Sequence, residues 1–272
     1  MSNWTLETIS WDRFDASKVD PEILRNIKAA ALVERNGGDY GVYLRGVFAD
    51  DAEFMEAVNI WVVEEIQHGM ALGRWARLAD PSWDFEAAFA RFRRGYQLPL
   101  DATRSVRGSK AGEMIARCIV ETGTSSYYSA LRDATEEPVL KQICAKIAGD
   151  EFRHYKLFYD HLRRCLKRDR LGRWTRLRIG WGRLAESEDD ELAYAYFAAN
   201  APEDAVYDRK QSIRAYQRRA YPLYRESHVQ RGIAMVLKAI GLQPQGWLNN
   251  LLTRLGLWFL RHSANRAATQ GA

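Results

Sequence analysis

Glu65-Ile66-Gln67-His68 and Glu151-Phe152-Arg153-His154 are two copies of one pattern, Glu-x-x-His, in a chain of 272 residues. Each copy has a lone glutamate upstream at nearly the same distance: Glu34 is 31 residues before Glu65, and Glu121 is 30 before Glu151. The order Glu, Glu-x-x-His, Glu, Glu-x-x-His is the ligand set of a carboxylate-bridged two-metal site inside a four-helix bundle. It predicts an all-α fold.

Residues three apart on a helix share a face, so each Glu-x-x-His pair can aim both side chains at one bundle axis. Antiparallel hairpins then bring the lone glutamates to the same height. With a turn near Asp50-Asp51, Glu34 falls about 16 residues before it and Glu65 about 15 after, almost level at about 1.5 Å of rise per residue. The break at Glu136-Glu137-Pro138, where the proline suits a first helical turn, does the same for Glu121 and Glu151.

A single Glu-x-x-His is commonplace on a solvated helix face, but the neighbours here point inward. Phe54, Val58, Trp61, Glu65, His68 and Leu72 form one stripe at three-to-four spacing, and Ile143, Ile147, Glu151, His154 and Phe158 form another. An ionised group in such a stripe is costly unless paired or metal-bound. Charge balance agrees, since two divalent ions neutralise four carboxylates. Glu34, Glu65, His68, Glu121, Glu151 and His154 are the candidate ligands. Oxygen-rich ligation with one imidazole per metal suits two iron ions, or iron with manganese, better than zinc.

Cys118, Cys144 and Cys165 have no paired spacing, which excludes a zinc ribbon, a rubredoxin-like module and a disulfide framework. They read as small buried residues of a reduced cytosol, so a cytoplasmic location is expected. Electrons for an iron site must come from a separate donor such as a ferredoxin.

The run from Val139 to His154, Val-Leu-Lys-Gln-Ile-Cys-Ala-Lys-Ile-Ala-Gly-Asp-Glu-Phe-Arg-His, resembles a helix of the soluble acyl-carrier-protein desaturases, within the ferritin-like di-iron superfamily. That helix carries Gln-Ile-Cys, an Ile-Ala and then Asp-Glu-x-Arg-His. Trp61, Glu64, Glu65, His68 and Gly69 match the family's Trp and Glu-Glu-x-x-His-Gly pattern, and Thr124 follows Glu121 where the family places a threonine on the oxygen-binding face. The likeness covers roughly residues 20–168. The chain departs from it at Ile66-Gln67, where the family has Asn-Arg, and in its shorter length. A ribonucleotide reductase small subunit fits worse, because Leu72 stands where its radical tyrosine would be.

The resemblance implies a ferritin-like four-helix bundle and an O2-dependent di-iron oxidoreductase that desaturates a fatty acyl chain, presented on a carrier protein. A di-iron hydroxylase or N-oxygenase of another organic substrate is the alternative. So is a ferritin-like or rubrerythrin-like protein of iron or peroxide handling, although the absence of cysteine pairs and the long C-terminal part speak against it. The resemblance further implies that Thr124 is catalytic and that the acids preceding each motif hold the histidines across the bundle, Asp150 with His68 and Glu64 with His154. Tyr127 and Tyr128 read as packing residues.

Composition is that of one globular chain, 47% hydrophobic and 28% charged. The expected organisation is an N-terminal arm (1–19), the bundle (20–168), a basic and aromatic helical extension packed on it (169–263) and a mobile tail (264–272). No secretory signal is evident in the arm. Gly37-Gly38 is expected to break the first helix or admit a substrate to the backbone. Residues 162–183 hold nine basic residues and one acid, Asp169, together with Trp174 and Trp181. This run reads as a solvated surface, as a docking face for an acidic acyl carrier or electron donor with Arg173 and Arg176 as candidate contacts, or as a membrane-surface or nucleic-acid contact. No specific nucleic-acid binding is expected. The apolar stretch Trp247 to Leu260 is too short to span a bilayer and suits peripheral membrane contact, a cover for the bundle or a homodimer interface.

Overall fold

The long helices begin where the sequence supplies a cap. In the computed structural model, which describes residues 4–186 and 190–269, Asp20 accepts hydrogen bonds from the Glu22 and Ile23 amides and starts α1 (Pro21–Arg35). After Asn36 the chain resumes as α2 (Gly37–Val47). Asp51 caps α3 (Ala52–Ala79), and α4 (Phe85–Gly95) follows. Ser109 caps α5 (Lys110–Ala134), and Glu137 caps α6 (Pro138–Asp169), whose first residue is the expected proline. Beyond these lie α7 (Arg173–Ala185), α8 (Asp190–Asn200), α9 (Arg209–Ala220), α10 (Glu226–Ala239) and α11 (Trp247–Thr269). The described residues are helix and connection only, with no strand.

α1 packs on α3, α5 on α6, and α3 meets α6. The two stripes are buried along their length, and the apolar interior falls into two clusters. One holds Leu32, Leu72, Trp75, Ile143 and Ile147; the other holds Phe54, Val58, Trp61, Met114, Phe158 and Leu162. The Glu-x-x-His motifs of α3 and α6 occupy the level between them, with apolar packing on both sides.

Two glycines set how closely α1 and α2 approach α3 at that level. A Cβ on Gly37 would lie 2.4 Å from the Cβ of Glu65, and one on Gly69 would lie 2.5 Å from the backbone nitrogen of Arg35. Gly37-Gly38 thus marks the helix break, and Gly37 also permits contact at a candidate ligand.

The N-terminal arm is more than a leader to α1. Trp4 and Ile9 are buried in the first cluster, and the arm is tied to α3 and α6 by Gln67 Nε2 to Trp4 O (3.1 Å), Ser10 N to Gln142 Oε1 (2.9 Å) and Asp15 N to Glu137 Oε1 (3.1 Å). In the C-terminal part, α8 lies on α1 and α4, α7 and α10 lie on α5, and α11 lies on α9 and α10. Where a mobile tail is expected from residue 264, α11 continues to Thr269 and buries Ala264 and Ala267, because this alanine-rich run has no helix breaker. Residues 270–272 of that expected tail lie outside the described residues. No described helix is long and apolar enough to cross a membrane.

Candidate metal centre

α1, α3, α5 and α6 deliver all six candidate ligands to one buried place. Glu34, Glu65, His68 and Glu151 form one group, and Glu65, Glu121, Glu151 and His154 form the other; in each, one donor atom per residue lies within 4.8 Å of the rest. Glu65 and Glu151 belong to both groups, the placing that carboxylates shared by two ions would need. Glu34 and Glu121 each belong to one. His68 Nδ1 lies 3.4 Å from Glu34 Oε2 and 3.2 Å from Glu151 Oε1. His154 Nδ1 lies 3.0 Å from Glu65 Oε1, 3.7 Å from Glu121 Oε2 and 3.8 Å from Glu151 Oε1.

These residues fit a pair of metal ions. Glu34 Oε2, Glu65 Oε1, His68 Nδ1, Glu151 Oε1 and His154 Nδ1 are all buried without a hydrogen-bond partner, a costly condition that shared cations relieve together. Donors each about 2 Å from one ion stand about 3 Å apart, close to the spacings found.

The surrounding groups orient the candidate ligands. Each imidazole turns Nδ1 inward and offers Nε2 to an acid on the opposite helix: His68 to Asp150 Oδ2 at 3.1 Å, His154 to Glu64 Oε2 at 2.8 Å. Arg153 sits over both acids, with Nη1 2.6 Å from Asp150 Oδ1 and Nη2 3.6 Å from Glu64 Oε2. Each imidazole also meets an indole. Trp4 stacks on His68 (centroids 6.0 Å apart, planes 3° apart) and Trp61 stands edge-on to His154 (6.4 Å, 77°). Thr124 Oγ1 donates to Glu151 Oε2, the far oxygen of a carboxylate common to both groups.

Electrostatics follow from burial and crowding. Burial, then the charges of Glu151 and Glu34, raises Glu65 to about 8. Burial and the neighbouring Glu151 raise Glu121 strongly. For His154, burial opposes protonation, but the adjoining Glu64 and Glu65 carboxylates prevail and raise it to about 9. His68 is raised in the same way, against burial, by Asp150, Glu151 and Glu34. Glu151, despite burial, is held down to about 2 by His68 and His154. Protons thus hold the positions that cations would take.

Three residues of this centre escape the sequence reading. Tyr128, expected to pack, donates its hydroxyl to Glu34 Oε1 at 2.6 Å, because seven residues, about two turns, put it on the same face of α5 as Glu121. Trp4 reaches Asp150 from the arm. Arg153 lies within the motif, yet nothing in its spacing announces two acidic partners. Among the expected docking residues, Arg173 is exposed, whereas Arg176 is half-buried, with Nε donating to Leu171 O at 3.0 Å. His161 is edge-on to Phe54 at 4.9 Å and His228 meets Asp133 Oδ2 at 2.9 Å, so neither belongs to the two groups. The chain matches no protein-family model and no curated protein.

Proposed function

We propose that this protein is a non-haem di-iron oxidoreductase on a ferritin-like four-helix bundle of α1 with α2, α3, α5 and α6, oxidising an unactivated C–H bond of an organic substrate. A fatty acyl chain is the first choice of substrate. The observation that carries the reading is the pair of buried donor groups sharing Glu65 and Glu151, with each histidine fixed from behind by an acid. When bound, two iron ions supply the two-electron chemistry of O2.

The chain's own residues do the rest. Asp150 and Glu64 keep the Nδ1 atom of each imidazole turned inward and raise its basicity. Trp61, Phe158, Leu72 and Ile147, all buried, exclude bulk water above and below the centre. Thr124 holds a proton at Glu151 Oε2 and ties that carboxylate to α5. Desaturation consumes the chain's two hydrogens, O2, two external electrons and two protons, and leaves a double bond and two waters. The three cysteines are buried and free, so a separate donor such as a ferredoxin delivers the electrons.

The test supplies iron-loaded protein with a ferredoxin, its reductase and NADPH, and offers fatty chains free, on a carrier protein or in lipid. Loss of two hydrogens by mass spectrometry supports desaturation. Gain of one oxygen moves the assignment to a hydroxylase or N-oxygenase. Iron oxidation or peroxide consumption with every chain untouched moves it to iron or peroxide handling.

A further inference from the structure

α11 leaves an apolar strip uncovered. The side it turns to the protein carries Asn249, Thr253, Ser263, Ala264 and Ala267, with Leu248 and Leu252 packed beside them on the second cluster, while Trp247, Leu251, Leu255, Trp258 and Phe259 are exposed. The buried side is satisfied by polar contacts: Asn249 Nδ2 donates to Pro244 O at 2.6 Å, and Thr253 Oγ1 donates to Asn249 Oδ1 at 3.0 Å. At about 100° per residue, Trp247, Leu251, Leu255 and Trp258 fall within about 80° of arc, and Arg254 and Arg261 border that strip. A surface helix normally turns such a strip to the core.

α7 repeats the composition. Trp174, Arg178 and Trp181 share one exposed strip, with the two indoles 84% and 77% exposed; on α11, Trp247 and Trp258 are 76% and 63% exposed. Together α7 and α11 contain seven arginines and no acid. Gly180 of α7 lies against Ile240, just beyond the end of α10, and Gly256 of α11 lies against Val229 and Ile233 within α10.

We propose that α11, with α7, docks this protein on the surface of an anionic lipid bilayer. Indole rings and leucines enter the interface and arginines meet the lipid phosphates, as in helices that lie in the membrane plane. Charge decides against a second copy of this chain, because two such faces would oppose arginine to arginine with no acid on either helix. The apolar strip decides against a purely electrostatic acidic partner, which has no use for Leu251 and Leu255. The inference does not rest on the oxidoreductase reading, since it concerns neither the metal ligands nor turnover.

The experiment is co-sedimentation of the full chain with phosphatidylcholine vesicles, with and without about 30 mol% phosphatidylglycerol, together with tryptophan emission. Binding at least about tenfold stronger to the anionic vesicles, a blue shift, and weakening between about 0.05 and 0.3 M salt are expected. The double substitution Trp247→Ser and Trp258→Ser reduces binding about tenfold or more with the melting curve unchanged, because both side chains are exposed. Reversing Arg254→Glu and Arg261→Glu removes the preference for anionic lipid. Absence of binding at about 1 mM anionic lipid, or equal binding to neutral vesicles, overturns the proposal. So does capture of an acidic carrier protein without vesicle binding, or a dimer in sedimentation velocity that the tryptophan substitutions dissociate. Failure here leaves the metal and turnover assays unaffected.

Discussion

Trp4 and His68 share one acceptor. Trp4 Nε1 donates to Asp150 Oδ2 at 2.9 Å, and His68 Nε2 lies 3.1 Å from the same oxygen, with the two rings parallel. The arm, α3 and α6 are joined at the back of a candidate ligand. Trp4→Phe keeps the apolar ring but withdraws a donor from a buried carboxylate. The expected cost is about 1.5–3 kcal/mol in urea unfolding, with metal affinity weakened about 10-fold or more. Unchanged stability and affinity would mean that the contact has no structural role.

Sharing of Glu65 and Glu151 predicts unequal effects among the ligands. Aerobically purified protein should carry two irons per chain. Glu65→Ala or Glu151→Ala should deplete both positions, whereas Glu34→Ala should weaken mainly the group containing His68 and Glu121→Ala mainly the group containing His154. Metal analysis with Mössbauer spectra distinguishes these outcomes. One tightly bound zinc per chain, insensitive to all four changes, would reject the centre.

Protonation predicts how the metal-free protein responds to pH. A group whose pKa is raised on folding contributes stability below its unfolded value and loses it as pH rises through the folded value. That loss runs from 4.5 to about 8 for Glu65 and from 6.5 to about 9 for His154. Glu151, held down to about 2, acts oppositely and loses its contribution only as pH falls towards that value. The chelated protein should therefore melt at a lower temperature at pH 8.5 than at pH 5.5. Metal replaces those protons and stabilises by about 2.7 kcal/mol at a hundredfold excess over Kd, so chelation should matter more at pH 8 than at pH 5.5. Superimposable melting curves with and without chelator would contradict a buried cluster.

Arg153 spans the two acids that hold the histidines, so one substitution reaches both halves of the centre. Arg153→Ala should lower affinity for both metals by about 10- to 100-fold while leaving the helical content intact. Titration of the metal-free protein with Fe(II) or Mn(II) checks this, and loss at only one position would show that the weaker contact with Glu64 is idle.

Gly37→Ala tests the close approach of α2 to α3. The new Cβ would lie 2.4 Å from the Cβ of Glu65, so one helix must shift. Overpacking of this kind costs about 1–3 kcal/mol, and the Glu65 carboxylate should move with it and lower iron content. Gly38→Ala, which meets only the end of Ile66 at 3.9 Å, is the control.

What the sequence determined by itself is the part of this protein governed by helix period. Glu34, Glu65, His68, Glu121, Glu151 and His154 can be placed at one level because 1.5 Å of rise and residues three apart on one face are local rules, valid before any packing is known. The turn near Asp50-Asp51 and the break at Glu136-Glu137-Pro138 are legible for the same reason, and Asp51 and Glu137 cap the helices that follow them. Only the tertiary structure decided that Trp4 meets Asp150 across 146 residues, that Tyr128 faces Glu34 and that Arg153 spans two acids on different helices. It also decided that α11 leaves Trp247, Leu251, Leu255 and Trp258 exposed, since amphipathicity shows that a helix has two faces but not which one the rest of the chain will cover.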